Sequence, residues 1–295
     1  MTFTIEKYQD FNFHLTECHF RICAMSESRP RGRPRSFHDK TEQNLVQSLD
    51  RALTILRTLS EAQGLTLSEL AARTGQSAPT VYRALMTLQG HGFAEMEEPG
   101  QIWHVGGGAF RVGSSFLRRT KIIDRARQPM DRLMRATGET ANLGVEHRDQ
   151  VLFLAQVETH EAIRAFFPPG TLGDMHVSGI GKALLAWLPL GRVAQIIHDR
   201  GLARFTPQSH TDLASLSADL AETKRRGYAI DDQERAEGMR CVAAPVFNAY
   251  GEPAAGLSVS GPTFRIGLEA TAAIGKLVPA AADEVTAATG GRQPD

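Results

Sequence analysis

Cysteine is scarce in this chain of 295 residues, with only Cys18, Cys23 and Cys241. Three thiols make no disulfide framework. Cys18 and Cys23, spaced C-x4-C with no partner pair downstream, match no zinc signature. Reduced thiols in the cytoplasm, with no metal site and no cofactor, are the expectation. Long apolar runs are also missing: none approaches the ~20 residues that span a bilayer. Glu6, Lys7 and Asp10 interrupt any apolar signal segment, so no membrane partner is expected. Net charge is absent too, with 33 basic residues against 33 acidic ones. The chain as a whole therefore has no general attraction for nucleic acid, and any DNA contact must come from local charge. Internal repeats are not evident. What remains, 42% hydrophobic and 22% charged residues, is the composition of a globular protein with real cores, long enough for two domains.

Residues 1–44 read as a flexible basic leader, in which Met25 offers an alternative start. Ser26–Lys40 is too polar to bury a core of its own. At its centre lies Pro30-Arg31-Gly32-Arg33-Pro34-Arg35. This resembles an AT-hook, in which Arg31 and Arg33 would enter a narrow A·T minor groove with Gly32 permitting close backbone approach. The simpler alternative is a basic tail attracted to phosphates without regard to sequence.

Ordered structure is expected from residue 45. Val46, Leu49, Leu53, Leu56 and Leu59 recur at helical spacing as an inward face. Thr66-Leu67-Ser68-Glu69 is a capping box that starts a second helix, stopped at Gly75. Ser77 is placed to cap a third, with Pro79 in its first turn and Val81, Ala84, Leu85 and Leu88 inward. Strands at Phe93–Met96 and Ile102–Val105 flank the turn dipeptide Pro99-Gly100. Three helices and a hairpin in this order make a winged helix-turn-helix over residues 45–105.

Gly106-Gly107-Gly108 breaks the chain before a linker helix region, 106–137. Residues 138–295 then alternate strands (Ala141–Glu146, Val151–Val157, Ala162–Phe167, Cys241–Phe247, Ala254–Ser260) with helices (Ser178–Trp187, Arg192–Asp199, Asp212–Arg226, Leu268–Thr289). The fold class is α+β.

In a helix-turn-helix the second helix of the motif meets base edges in the major groove. Its outward residues here include Ser77, Thr80, Tyr82, Arg83 and Thr87. Arg83 suits guanine or phosphate, and the hydroxyls suit phosphate oxygens. Charge argues the other way: residues 45–105 hold four arginines, no lysine and six acids. The missing positive charge lies in the leader and in residues 106–135, where eight basic residues face Asp124 and Asp131. A protein-interaction module built on the same bundle is the alternative to double-stranded operator DNA as partner.

Several ordered stretches resemble the IclR family of transcriptional regulators. They are V-Q-S-L-D-R-A-L-T-I-L at 46–56, L-S-E-L-A at 67–71, S-A-P-T-V-Y-R-A-L-M-T-L at 77–88, S-G-I-G-K-A-L-L-A at 178–186, G-Y-A-I-D-D-Q-E at 227–234, G-M-R-C-V-A-A-P-V-F at 238–247 and G-L-S-V-S-G-P at 256–262. The resemblance implies a winged helix-turn-helix, a linker helix, a C-terminal GAF-like effector domain, and self-association into dimers or tetramers. It also implies a small carboxylate effector. Members that sense glyoxylate or pyruvate hold the acid in a way that corresponds here to Gly179, Ile180, Asp231, Cys241, Ser258 and Ser260, with Met239 as an apolar wall.

The residue types suit that role. Ser178-Gly179-Ile180-Gly181 opens a helix whose free amides favour a carboxylate, and Gly179 and Gly181 would admit a ligand to the backbone. Ser258 and Ser260, two apart on a strand, share a face. The bland alternative leaves Lys182 solvated and the two serines bonded to backbone. Another alternative is an aromatic acid, with Phe153, Phe166 and Phe167 lining a larger pocket.

Enzyme patterns fail. Gly181-Lys182 is no phosphate loop, because His176 stands where a glycine is needed and Ala183 where Ser or Thr is needed. Arg111 takes the last position of a G-x-G-x-x-G begun at Gly106. No pattern sets His147, His176 or His210 beside Cys241 as a base.

Overall fold

A computed structural model describes residues 45–119 and 121–294, without the side chains of 116–119. Arg31 and Arg33 lie outside the described residues.

The first unit is three helices and a hairpin: α1 Gln47–Ser60, α2 Leu67–Thr74, α3 Ala78–Gly90, β1 Ala94–Glu97 and β2 Ile102–Val105. The capping box of α2 is present. Thr66 N donates to Glu69 Oε2 at 2.8 Å and Glu69 N to Thr66 Oγ1 at 3.3 Å. Backbone and side-chain bonds from Thr66 hold the Glu69 carboxyl below its usual pKa. Gly75 closes α2 in the left-handed conformation, φ 64°, which a Cβ disfavours. Strands β1 and β2 pair antiparallel, and Leu65 and Trp103 exchange backbone hydrogen bonds. This ties the hairpin to the chain just before α2, so Leu59, Leu65, Leu70, Val81, Leu85 and Trp103 share one core.

Two expectations here need correction. The buried residues of α1 are Ile55 and Leu59, while Val46, Leu49 and Leu53 are exposed. The 3.6-residue period admits two overlapping stripes, and only the three-helix core selects between them. Ser77 occupies the N-cap of α3 but makes no capping bond, because its hydroxyl pairs with that of Thr80 at 2.9 Å.

The glycine run after β2 starts a helix instead of breaking the chain. α4 spans Gly107–Arg119, and the Gly107 amide donates to Glu95 Oε1 at 2.9 Å. A Cβ on Gly108 would lie 2.5 Å from the Gly92 carbonyl oxygen, so close backbone approach explains the glycine. The expected single linker helix is two, α4 and then α5 Ile122–Thr137.

The remainder is a six-stranded antiparallel sheet in the order β5-β4-β3-β8-β7-β6. Its strands are β3 Thr140–His147, β4 Gln150–Val157, β5 Leu172–Asp174, β6 Ala229–Asp232, β7 Met239–Phe247 and β8 Pro253–Pro262. Helices α6 Gly179–Leu185, α7 Leu190–Arg200, α8 Leu213–Arg226 and α9 Leu268–Ala288 complete it. No strand forms at 162–167, and β5 and β6 are short strands that lack a clear alternating pattern.

Strand parity divides the side chains between two cores. Val242, Ala244 and Val246 of β7 and Leu257 and Val259 of β8 pack with α5 and α9 residues. Cys241 and Ala243 point the other way, with Ile180, Ala183 and Leu184 of α6 and Leu216 and Leu220 of α8. Ser258 and Ser260 share that second face, because they alternate with Leu257 and Val259.

Candidate functional site

A cavity of about 80 Å³ opens where the start of α6 meets the sheet. One water fills about 10–15 Å³ by the same measure, so the space suits a molecule of a few heavy atoms. Gly179, Ile180, Asp231, Cys241, Ser258 and Ser260 all line it. Register explains the convergence. Cys241 pairs with both Asp231 on β6 and Ser260 on β8, while Ser258 lies two residues along.

The α6 start has few amides to spare. Ser178 Oγ accepts from Gly181 N at 3.3 Å, and the Ser178 carbonyl accepts from Lys182 N at 2.8 Å. Of the four amides that a helix leaves unpaired at its start, those of Gly179 and Ile180 remain to face the cavity. The glycines themselves serve packing. A Cβ on Gly179 would lie 2.6 Å from Cys241 Sγ, and one on Gly181 would lie 2.3 Å from the Met175 carbonyl oxygen. The close approach at Gly181 is therefore by the protein's own backbone, not by a ligand.

Met239 is not among the lining residues. It lies at the first position of β7, opposite Pro262. The apolar wall comes instead from Val177, Leu172 and the stacked rings of Phe153 and Phe167, whose centroids are 4.8 Å apart. Phe166 is 59% exposed and takes no part. Arg235, exposed at the mouth, stacks on Phe205 at 3.9 Å, and no sequence pattern pointed to it.

Burial sets the protonation of this site. It pushes the Cys241 thiol up to about 12, with Asp231 adding to the effect, so the sulfur stays protonated at neutral pH. His176 and His210, both held neutral chiefly by burial, are not among the lining residues, and neither is His147. Burial likewise raises the Asp231 carboxyl to about 7, helped by Glu234 and opposed by Lys182. Asp231 Oδ1 accepts from Glu234 N at 2.8 Å.

Lys182 is not solvated. It is 0% exposed, and its ammonium lies 2.8 Å from Asp219 Oδ2, 2.5 Å from Glu234 Oε1 and 2.5 Å from the Ile230 carbonyl. His210, Asp219 and Glu234 have the spacing of a metal-binding group, but the lysine already supplies the cation between the two carboxylates.

On α3, Tyr82 and Arg83 are exposed, as are Ser77 and Thr87. Thr80 is half-buried beside Ser77, and the Thr87 hydroxyl donates to the Arg83 carbonyl at 2.9 Å. Met86, exposed on the same helix, was not anticipated. The arginines of α5 at 125 and 127 are exposed, while Arg132 pairs with Glu284 and Arg135 with Asp131.

Comparison with known proteins decides the family. The IclR helix-turn-helix domain matches residues 48–98, and the bacterial transcriptional regulator IclR C-terminal domain matches residues 114–287. The chain belongs to the IclR family of transcriptional regulators. The HTH-type transcriptional regulator BhcR of Paracoccus denitrificans (strain Pd 1222) is 49% identical over 258 residues, covering 88% of this chain and 92% of the relative. The Thermotoga maritima IclR crystal structure superposes with a TM-score of 0.71 at 26% identity, covering 83% of this chain and 100% of that one. An IclR homologue from Microbacterium hydrocarbonoxydans, solved with 4-hydroxybenzoate, gives a TM-score of 0.71 at 24% identity, over 81% of this chain and 98% of its own. At that identity the likeness speaks for the fold. IclR regulators bind operator DNA and respond to effector ligands, and the α+β architecture and the helix-turn-helix expected from sequence are those of the family. Among the described residues no helix is long and apolar enough to cross a membrane.

Proposed function

We propose that this IclR-family regulator senses a small 2-oxo acid such as glyoxylate or pyruvate. The supporting observation is one small cavity in which two serine hydroxyls, a protonated thiol, the Asp231 carboxyl and two helix-start amides converge. Each can donate a hydrogen bond to an acid, Asp231 when protonated. Residues 45–105 act as the DNA-binding domain and 138–295 as the effector domain, with 106–137 between them. The acid binds one arrangement of α4 and α5 better than another, and operator affinity changes by that difference. The active species is a cytoplasmic dimer or tetramer on double-stranded operator DNA. The chain performs no catalysis in this reading. An aromatic acid is the second reading, favoured by the Phe153–Phe167 wall, but a cavity of about 80 Å³ must widen to admit a ring.

Calorimetry against glyoxylate, pyruvate and several aromatic acids tests the proposal. Micromolar binding to one 2-oxo acid is expected, and Ser258→Ala with Ser260→Ala should abolish it while operator binding persists. Binding of an aromatic acid alone, or an unaltered response in the double variant, would overturn the reading. On the DNA side, Arg83→Ala should weaken operator binding by roughly tenfold or more in a gel-shift assay. Equal loss on unrelated DNA would assign Arg83 to phosphate instead of a base.

A further inference from the structure

Asn142 is fully buried in the middle of β3, on the face that carries the cavity, yet it does not line the cavity. Its neighbours across the sheet are Ser258 on β8 and Gln156 on β4. Asn142 Nδ2 donates to Ser258 Oγ at 3.4 Å and to Ser260 Oγ at 3.3 Å, and Gln156 Nε2 donates to Asn142 Oδ1 at 3.0 Å. A row of side-chain amides thus runs across the sheet and ends on the two cavity hydroxyls.

The direction of these bonds matters. An amide nitrogen can only donate, so each serine oxygen accepts from it and keeps its single proton for another partner. On that other side lie the Cys241 sulfur, which both hydroxyls reach, and the cavity itself. With the Gly179 and Ile180 amides and the Cys241 thiol beside them, the hydroxyls then present donors to whatever enters. A site with its donors fixed in this way favours a ligand end that only accepts, and leaves buried groups unpaired against one that must donate.

We propose that Asn142, oriented by Gln156, is a positioning residue that holds Ser258 and Ser260 as donors and so makes the effector site selective for an ionised carboxylate. This rests on the effector reading above and adds to it the sense of the hydrogen bonds. The residues that touch the ligand are the serines, and Asn142 acts through them.

The variant Asn142→Asp keeps the shape but reverses the sense. A carboxylate accepts only, so both hydroxyls turn towards it and present lone pairs, backed by a negative charge, to the cavity. Calorimetry of the full chain with glyoxylate, with pyruvate and with the neutral amide of pyruvate is the measurement. Affinity for the acids is expected to fall about 30-fold or more, and for the neutral amide about threefold or less. A purely structural role would weaken all of them in parallel.

Gln156→Glu, on the half-buried residue at the end of the row, is the second variant and does not require a charge beside the serines. It should turn the Asn142 amide around, offering Oδ1 to the serines, and bring the same selective loss. Folded variants that bind the acids as well as the parent protein, or that lose acid and amide affinity equally, overturn the proposal. If the unaltered protein binds neither acid, the effector reading fails and this one fails with it. Binding by the parent that is unchanged in the variants removes only the role of Asn142.

Discussion

Lys182→Ala is expected to destabilise the effector domain by about 3–5 kcal/mol, the usual consequence of removing one partner from a buried ion group. Burial works against the Lys182 ammonium, but Glu234 and Asp219 outweigh it and hold its pKa above the ordinary lysine value. Without the lysine, the buried Glu234 carboxylate loses its cation, whereas the partly exposed Asp219 keeps Arg226 at 3.6 Å. Glu234 is already raised by burial even with the lysine present. Glu234 should then take up a proton more readily in the folded state than in the unfolded chain. Stability lost through such a raised acid is small at low pH and grows as pH rises past its unfolded value. The deficit of Lys182→Ala should therefore be larger at pH 8 than at pH 5. Urea unfolding followed by fluorescence at the two pH values measures it. A deficit below about 1 kcal/mol, or one independent of pH, would show that the cluster relaxes or admits water.

The second large effect concerns Asp231. Its folded pKa of about 7 stands above the ordinary 3.8. The folded protein therefore binds this proton where the unfolded chain has released it, and stability from this group declines as pH rises from about 4 to 7. Asp231→Asn should remove that decline and stabilise the protein at pH 8 by on the order of 2–4 kcal/mol, with little gain near pH 4. The amide oxygen can still accept from Glu234 N.

The same proton governs the ligand. Protonated Asp231 can donate to an acid in the cavity, whereas ionised Asp231 repels it. Affinity for glyoxylate or pyruvate should fall close to tenfold per pH unit above about 7. In Asp231→Asn it should be nearly flat with pH. A steep slope that survives in the asparagine variant would assign the titration to another group, and equal stability of the two proteins at pH 8 would mean that Asp231 is solvated.

Much of this molecule was legible in local pattern. The Thr66–Glu69 box, Gly75, Pro79 and the Pro99-Gly100 turn act within a few residues of themselves, so α2, α3 and the hairpin fall where those residues place them. Alternation in β8 put Ser258 and Ser260 on one face before any partner strand was known. Family motifs carried Gly179, Ile180, Asp231 and Cys241 to a single place, and all four do line one cavity.

Apart from Ser77, whose hydroxyl is taken by Thr80 three residues on, most misreadings share one cause, which is that the deciding contact lay far along the chain. The stripe chosen for α1 was as regular as the buried one, and the core formed with α3 and Trp103 selected Ile55. Gly106–Gly108 looked like a break because the chain they pack against, Gly92, belongs to a different turn. The run 162–167 is apolar enough for a strand but has no neighbour to pair with. Met239 has the right parity for the cavity and the wrong position along the strand.

The sequence alone therefore determined the order of most elements, the division of strand faces and the residue types at the candidate site, since each depends on near neighbours or on strict periodicity. Tertiary structure decided the protonation of Asp231 and Cys241, the burial of Lys182 between Asp219 and Glu234, and the amide row from Gln156 through Asn142 to the serines. Those depend on desolvation and on bonds between residues as much as 118 positions apart, and no local pattern encodes either.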